Sequence, residues 1–285
     1  LQDAQAERVA IIYHPDVRRN LLHIKALAEG SRVLTYYAAM CADRAHLLGE
    51  DQAAQRWDYQ LEILTPIVKA WCSDESFKAA ELSVQVHGGY GYIREYGVEQ
   101  ILRDAKIGSI YEGTNGIQAL DLMGRKIGRR GGAMMLTMLN EVNRFMKAHA
   151  GDETLADDLK ALGAARDAVA AAAMAFGKAN RDGDTRYAAL HATPFLQMFG
   201  DLLVGWLLLD QGVVAERMLM THLEAKGVER DDDAYRSLLQ SDEEAKFLAA
   251  KLATARFFVH QIMPRVRARH ASIKSRDRSA LEVVL

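Results

Sequence analysis

Proline is scarce in this chain. Only four occur among 285 residues, so long stretches hold nothing that must interrupt a helix. Ala, Leu, Glu, Lys and Arg dominate those stretches, a mixture that favours helix and rarely makes sheet. The expected fold class is all-α, an antiparallel helical bundle followed by a second helical domain. Over residues 16–48 the apolar side chains of Leu21, Ile24, Ala28, Leu34, Tyr37 and Cys41 recur at helical spacing. A second pattern over about 53–86 places Leu61, Leu64, Val68 and Trp71 on one face, with Pro66 permitting a kink. The two should pair antiparallel.

Further helices are expected at about 115–127, 133–148, 155–180, 194–226 and 243–269. Their ends carry ordinary stop and start signals: Pro194 in a first turn, Ser241 with Glu244 at capping-box spacing, and the charged break 229–233. The run Gly128-Arg129-Arg130-Gly131-Gly132 reads as a linker. It divides the chain into residues 1–128 and 133–285.

Charge and cysteine content exclude several classes. A formal net charge of −2 gives no global basic field to gather nucleic acid or an anionic membrane. The two cysteines, Cys41 and Cys72, form no CxxC pair, so neither a disulfide framework nor a metal site is expected, and reduced thiols fit a cytoplasmic protein. The longest apolar run, 202–209, lies between Asp201 and Asp210 and is far shorter than the ~20 residues that span a bilayer; it reads as a buried helix segment. Residues 1–5 have neither an initiating Met nor the order of a signal peptide, and suggest a chain that begins inside a longer gene product. The basic tail 260–278 holds Arg265, Arg267, Arg269, Lys274, Arg276 and Arg278. Without interleaved aromatics it reads as a solvated helix end rather than a nucleic-acid patch.

Between Gly88 and Gly116 the helical pattern is lost. Gly88, Gly89, Gly91, Gly97, Gly108, Gly113 and Gly116 crowd a segment rich in aromatics, which implies tight turns or backbone pressed against something. In it one carboxylate, Glu112, sits between Tyr111 and Gly113 just before a helix start at Thr114-Asn115. Such a Glu can simply serve the first turn of the helix, or it can be a general base, drawn from water by its aromatic and glycine neighbours. Tyr90, Tyr92 and Tyr96 read as gap-fillers of a core, Tyr111 as a site residue, and Arg103 with Asp104 as a structural ion pair holding the glycine-rich loop. His87 has no second ligand at metal spacing and reads as turn packing.

Three linked segments carry a resemblance: Gln85-Val86-His87-Gly88-Gly89-Tyr90-Gly91-Tyr92, then Leu102-Arg103-Asp104-Ala105-Lys106-Ile107, then Ile110-Tyr111-Glu112-Gly113-Thr114. In order and spacing they resemble the C-terminal domain of acyl-CoA dehydrogenases. The resemblance implies that Glu112 matches the catalytic base, which removes the proton α to a thioester carbonyl while FAD takes hydride from the next carbon, giving a trans-2-enoyl-CoA. It further implies that the backbone N–H of Glu112 and a flavin ribityl hydroxyl bind the enolate oxygen, and that Gly113 and Tyr111 meet the substrate. By the same resemblance Gln85, Val86, His87, Gly88 and Gly89 would touch the FAD of a neighbouring subunit, and Thr114, Asn115 and Gly116 would also contact FAD.

The implied partners are an acyl-CoA, electron-transfer flavoprotein or a similar acceptor, and further copies in a homodimer or homotetramer, because the flavin site would be shared between subunits; the implied process is fatty-acid metabolism. The form Thr114-Asn115-Gly116-Ile117-Gln118 departs from the common Thr-x-Gln-Ile-Gln and, with the extra helices after it, is similar to a larger bacterial branch that includes 3-methylmercaptopropionyl-CoA dehydrogenases. Family members also carry an N-terminal helical domain and a β-domain that supply much of the flavin and acyl sites. The expectation is thus a fragment inactive alone. The alternative is a non-catalytic or DNA-binding flavoprotein homologue.

Overall fold

A computed structural model describes residues 7–49, 51–230 and 233–284, with Gln52 described by its backbone alone. Residues 1–5 and the middle of the 229–233 break lie outside the described residues. Among the described residues every regular element is helical. Helices α1 (Pro15–Leu48) and α2 (Gln52–His87) form a long hairpin that turns at Gly49, whose φ is 59°. Pro15 opens α1, where its missing N–H costs nothing, and Asp51 caps α2 by accepting from the Ala53 N–H at 3.1 Å.

Pro66 does not break α2. It deprives the Glu62 carbonyl of its usual donor four residues on. That carbonyl accepts instead from Lys126 Nζ at 2.7 Å, and Lys126 is itself nearly buried.

The glycine-rich segment is more helical than its sequence suggests. It contains the single turn α3 (Gly89–Tyr92) and a nine-residue helix α4 (Val98–Lys106). Residues 98–106 are free of glycine, so Gly97 and Gly108 act as end signals rather than breakers. Arg103 pairs with Glu99 at 2.8 Å, not with Asp104, because positions four apart on a helix face one another and adjacent ones do not. Tyr90, Tyr92 and Tyr96 are exposed rather than filling a core; Tyr90 and Tyr96 pack on each other with ring centroids 5.1 Å apart.

After α5 (Asn115–Asp121) a π-type turn at Leu122–Lys126 leads into residues 129–132, where Arg130, Gly131 and Gly132 have φ of 52°, 67° and 85°. The remaining helices are α6 (Ala133–Ala148), α7 (Ala156–Arg181), α8 (Thr185–Leu190), α9 (Ala192–Lys226), α10 (Asp233–Ser241), α11 (Glu243–Phe257), α12 (Arg265–Ser275) and α13 (Ser279–Glu282). Two boundaries differ from expectation. Ser241 ends α10, its Oγ bonded back to the Ser237 carbonyl, and Asp242 caps α11 by accepting from the Ala245 N–H at 3.0 Å. The expected helix 243–269 is divided by a π-type turn at Phe258–Ile262 and by Pro264.

Helix α9 is the centre of the molecule. Every residue from Phe195 to Leu209 is buried, so the apolar run is a core helix enclosed on all sides. By length and hydropathy α9 could cross a membrane, but 78% of its most apolar window is buried inside the protein. One hydrophobic core runs without interruption from Ala26 through Trp71, Met138 and Phe199 to Ile273. Cys41 and Cys72 are unpaired in it, and burial pushes their thiols up to about 12 and about 11.

Helices α9 and α2 meet at Gly200 with no room for a side chain. A Cβ added to Gly200 would lie 2.3 Å from Trp71 Cδ1, and Trp71 is fully buried with its indole N–H donated to Asp201 Oδ1 at 2.8 Å. Alanine gains about 1 kcal/mol over glycine within a helix. Against an immobile ring, overpacking costs about 1–3 kcal/mol or more. Gly200→Ala is therefore expected to lower the unfolding midpoint in a chemical denaturation series. Gly177→Ala on α7, where the nearest atom is the flexible end of Arg181 at 3.7 Å, is expected to raise it.

The basic tail is in part the solvated helix end expected, with Arg267, Lys274 and Arg276 exposed, and in part a set of ion pairs. Arg265 and Arg269 bind the fully buried Asp201, Arg265 also reaches the fully buried Glu75, and Arg278 pairs with Asp184 at 3.0 Å. Burial works against the charge of Arg265, yet Asp201 and Glu75 hold its pKa above that of an ordinary arginine.

Candidate active site

The loop between α4 and α5 is built from two successive left-handed residues. Glu112 has φ 55° and Gly113 φ 83°. Glycine adopts this region freely, whereas glutamate pays a steric cost of roughly 1–2 kcal/mol. Several contacts hold the loop in that shape. Thr114 caps α5 by accepting from the Ile117 N–H at 3.3 Å, and Gln118 Nε2 donates to the Glu112 carbonyl at 3.4 Å. Lys69 of α2 donates to the Gly113 carbonyl and to Asn115 Oδ1, each at 2.8 Å. Asn115 Nδ2 in turn faces the Ala70 carbonyl, Ser73 Oγ and Asp74 Oδ1, the last at 2.7 Å.

Lys69 and Asp74 were not singled out in the sequence. They lie on a helix forty residues before the loop and repeat no pattern that marks them. Asn115 was singled out, and its side chain is 6% exposed and wholly engaged with α2. Its backbone, with that of Gly116, opens the first turn of α5.

The Glu112 side chain is exposed and makes no hydrogen bond among the described residues, and its backbone N–H is also without a partner there. Tyr111 is 53% exposed and Ile110, Ile107 and Ile117 flank it with comparable exposure. Near the Glu112 carboxylate and N–H in sequence, four large apolar side chains are thus exposed. A shallow groove of about 480 Å³ continues along α5, lined by Ile117, Gln118, Leu120, Asp121 and Arg125.

Gln85, Val86, His87, Gly88 and Gly89 form a separate place. They end α2 and begin α3, with Gly88 at φ 61°. His87 Nδ1 lies 2.7 Å from the Ser83 carbonyl, so that nitrogen carries the proton and the ring is fixed to its own helix. Asn115 meets α2 at Ala70 to Asp74, and from Asp74 to Gly88 the helix advances roughly 20 Å at 1.5 Å per residue. The two halves of the expected flavin contact therefore stand at opposite ends of the second half of α2 and do not converge within one chain. Each fits part of such a group. At Gly88 and Gly89 a Cβ would meet nothing within 4 Å, which leaves bare, exposed backbone for a phosphate or ribose. At the start of α5, Thr114 and Gly116 are exposed and Asn115 between them is buried. Among the described residues no group of His, Cys, Asp and Glu is arranged for a metal.

Residues 138–283 match the sequence family described as acetyl-CoA dehydrogenase C-terminal like, and residues 1–127 match the acyl-CoA dehydrogenase C-terminal domain. The chain belongs to the acyl-CoA dehydrogenase family. Among its relatives, a 3-methylmercaptopropionyl-CoA dehydrogenase of Ruegeria pomeroyi is 38% identical over 98% of this chain and 44% of its own length. A broad-specificity linear acyl-CoA dehydrogenase of Mycobacterium tuberculosis is 33% identical over 99% of this chain and 44% of its own length. This chain spans less than half the length of these acyl-CoA dehydrogenases. In fold it is similar to Caenorhabditis elegans ACDH-11, solved in complex with C11-CoA, with TM-score 0.63 and 17% identity over 96% of this chain and 42% of that one.

Proposed function

We propose that the full-length protein is an FAD-dependent acyl-CoA dehydrogenase in which Glu112 is the general base. The observation that carries this reading is the strained backbone of Glu112, at φ 55° in a loop tied down by Lys69, Thr114, Asn115 and Gln118. A conformation that costs energy and is held by several independent contacts marks a place where geometry matters more than stability. It leaves a carboxylate and an N–H of the same residue without partners among the described residues, in a segment that exposes Ile107, Ile110, Tyr111 and Ile117.

The chemistry follows from those groups. Glu112 accepts the proton from the carbon α to the thioester carbonyl. Its own N–H donates to the carbonyl oxygen as negative charge gathers there, which is where such a donor lowers the barrier. Bound FAD would supply the acceptor for the hydride that leaves the β-carbon, completing the trans-2,3 double bond. Gly113, without a side chain beside the base, leaves room for the acyl chain, and Tyr111 with its isoleucine neighbours excludes water from it.

FAD would be held by Thr114, Asn115 and Gly116 from one copy and by Gln85, Val86, His87, Gly88 and Gly89 from another. The separation of these two groups along α2 supports a site shared in a homodimer or homotetramer. Electrons would pass on to electron-transfer flavoprotein or a similar acceptor. Two unpaired thiols, Cys41 buried and Cys72 partly buried, favour a reducing compartment such as the cytoplasm. The nucleic-acid alternative loses support, since Arg265 and Arg269 are engaged with the buried Asp201 and Arg278 is paired with Asp184 at the surface.

Anaerobic mixing of the full-length protein with a panel of straight-chain and sulfur-containing acyl-CoAs is expected to bleach its flavin absorbance with at least one of them. A flavin that stays oxidised with every thioester would refute the reading.

A further inference from the structure

Three residues connect the base loop to the core helix α9, although none of them touches Glu112. Gln197 of α9 donates from Nε2 to Asp74 Oδ2 at 2.5 Å, and Asp74 Oδ1 accepts from Asn115 Nδ2 at 2.7 Å. Asn115 follows Glu112 by three residues and shares Lys69 with the Gly113 carbonyl. Gln197 is 7% exposed and its Oε1 is buried with no partner among the described residues. A core glutamine that leaves one acceptor unsatisfied is kept at a cost.

Its neighbours on the same face of α9 explain its register. Gly200 and Asp201, three and four residues on, meet Trp71, which lies one helical turn before Asp74 on α2. The α2–α9 contact thus places Gln197 against Asp74.

We propose that Gln197, Asp74 and Asn115 are positioning residues, through which the helices following residue 132 set the placement of Glu112. This rests on the function proposed above. Asn115 cannot be moved without moving the first turn of α5, and that turn carries Thr114 and the left-handed pair before it. Displacement of a reacting group by about 1 Å is enough to cost 10²-fold in rate. The appended helices then have a task in catalysis.

The test uses the full-length holoenzyme and stopped-flow flavin reduction. Gln197→Leu, which keeps side-chain volume and removes the donor, is expected to lower the limiting rate about tenfold. The dissociation constant for the thioester and the FAD stoichiometry should stay within twofold, and amide exchange over residues 113–119 should speed up. Asp74→Ala should behave in the same way. Asp74→Asn should retain the wild-type rate, because an asparagine there can accept from Asn115 and, once the Gln197 amide turns over, donate to Gln197 Oε1. Tyr187→Phe removes a different tie among the later helices, the bond from Tyr187 OH to the Ile273 carbonyl at 2.6 Å, and should leave the rate unchanged.

Gln197→Leu with wild-type rate and wild-type exchange would overturn the proposal while leaving the proposed function intact. So would a loss of bound FAD and of thermal stability with no change in rate per bound flavin, which is the mark of a purely structural role. Wild-type enzyme that reduces its flavin with no thioester would overturn the proposed function itself, and this inference with it.

Discussion

Glu112→Gln in the full-length protein is expected to leave the flavin oxidised when a competent acyl-CoA is added, with the limiting rate down by about 10²–10⁴-fold, as for loss of a general base. Glutamine keeps the size of the side chain and its backbone N–H, and removes only the capacity to accept a proton. Because the Glu112 side chain is exposed and unpartnered among the described residues, FAD binding and the unfolding midpoint should be unchanged, within about 0.5 kcal/mol for a surface substitution. Glu112→Gly sharpens the test. At φ 55° a glycine removes the steric cost of the left-handed backbone, so this variant should be somewhat more stable than wild type and equally inactive. Flavin reduction retained in Glu112→Gln would show that the base lies elsewhere.

The second large effect concerns stability. Asp201 accepts from the Trp71 indole at 2.8 Å and from Arg265 and Arg269 at 2.6 Å each, and it is fully buried. Its removal leaves two guanidinium groups and an indole N–H without their acceptor, and leaves Glu75 as the remaining buried carboxylate facing Arg265. Deleting one partner of a buried ionic cluster costs about 3–5 kcal/mol, far more than the cluster contributes relative to an apolar replacement. Asp201→Ala should therefore lower Tm by roughly 10 °C for a protein of this size. Asp201→Asn, which keeps an acceptor for Trp71, should lose less. A thermal melt in which both variants match wild type would show that α12 is held by its apolar contacts alone.

Much of this architecture is legible in the order of residues. The long helices α1, α2, α6, α7 and α9 follow from apolar spacing with almost no proline, because helix formation is a local matter of propensity and periodicity. The apolar run 202–209 is readable as buried for the same reason. Local signals fail where a strong feature masks a weak one. The glycines around residues 98–106 hide a nine-residue helix whose own stretch holds none, and Pro264 ends a helix that periodicity alone would continue.

The motif around Glu112 is equally local, since a carboxylate, a glycine and a helix cap must be adjacent in sequence to form one turn. The groups that hold this turn are far away along the chain. Lys69, Asp74 and Gln197 precede or follow it by tens of residues, and the basic tail finds Asp201 and Glu75 only when α12 packs on α9 and α2. Hydrogen bonds and ion pairs between distant segments leave no period in the sequence, because their partners are chosen by the packing of helices and not by spacing. Glu112 as the candidate base is thus a reading of sequence. Its backbone strain, the side chains that hold it there, and the wide separation of its loop from the Gly88 turn are decided by how α2, α5 and α9 pack.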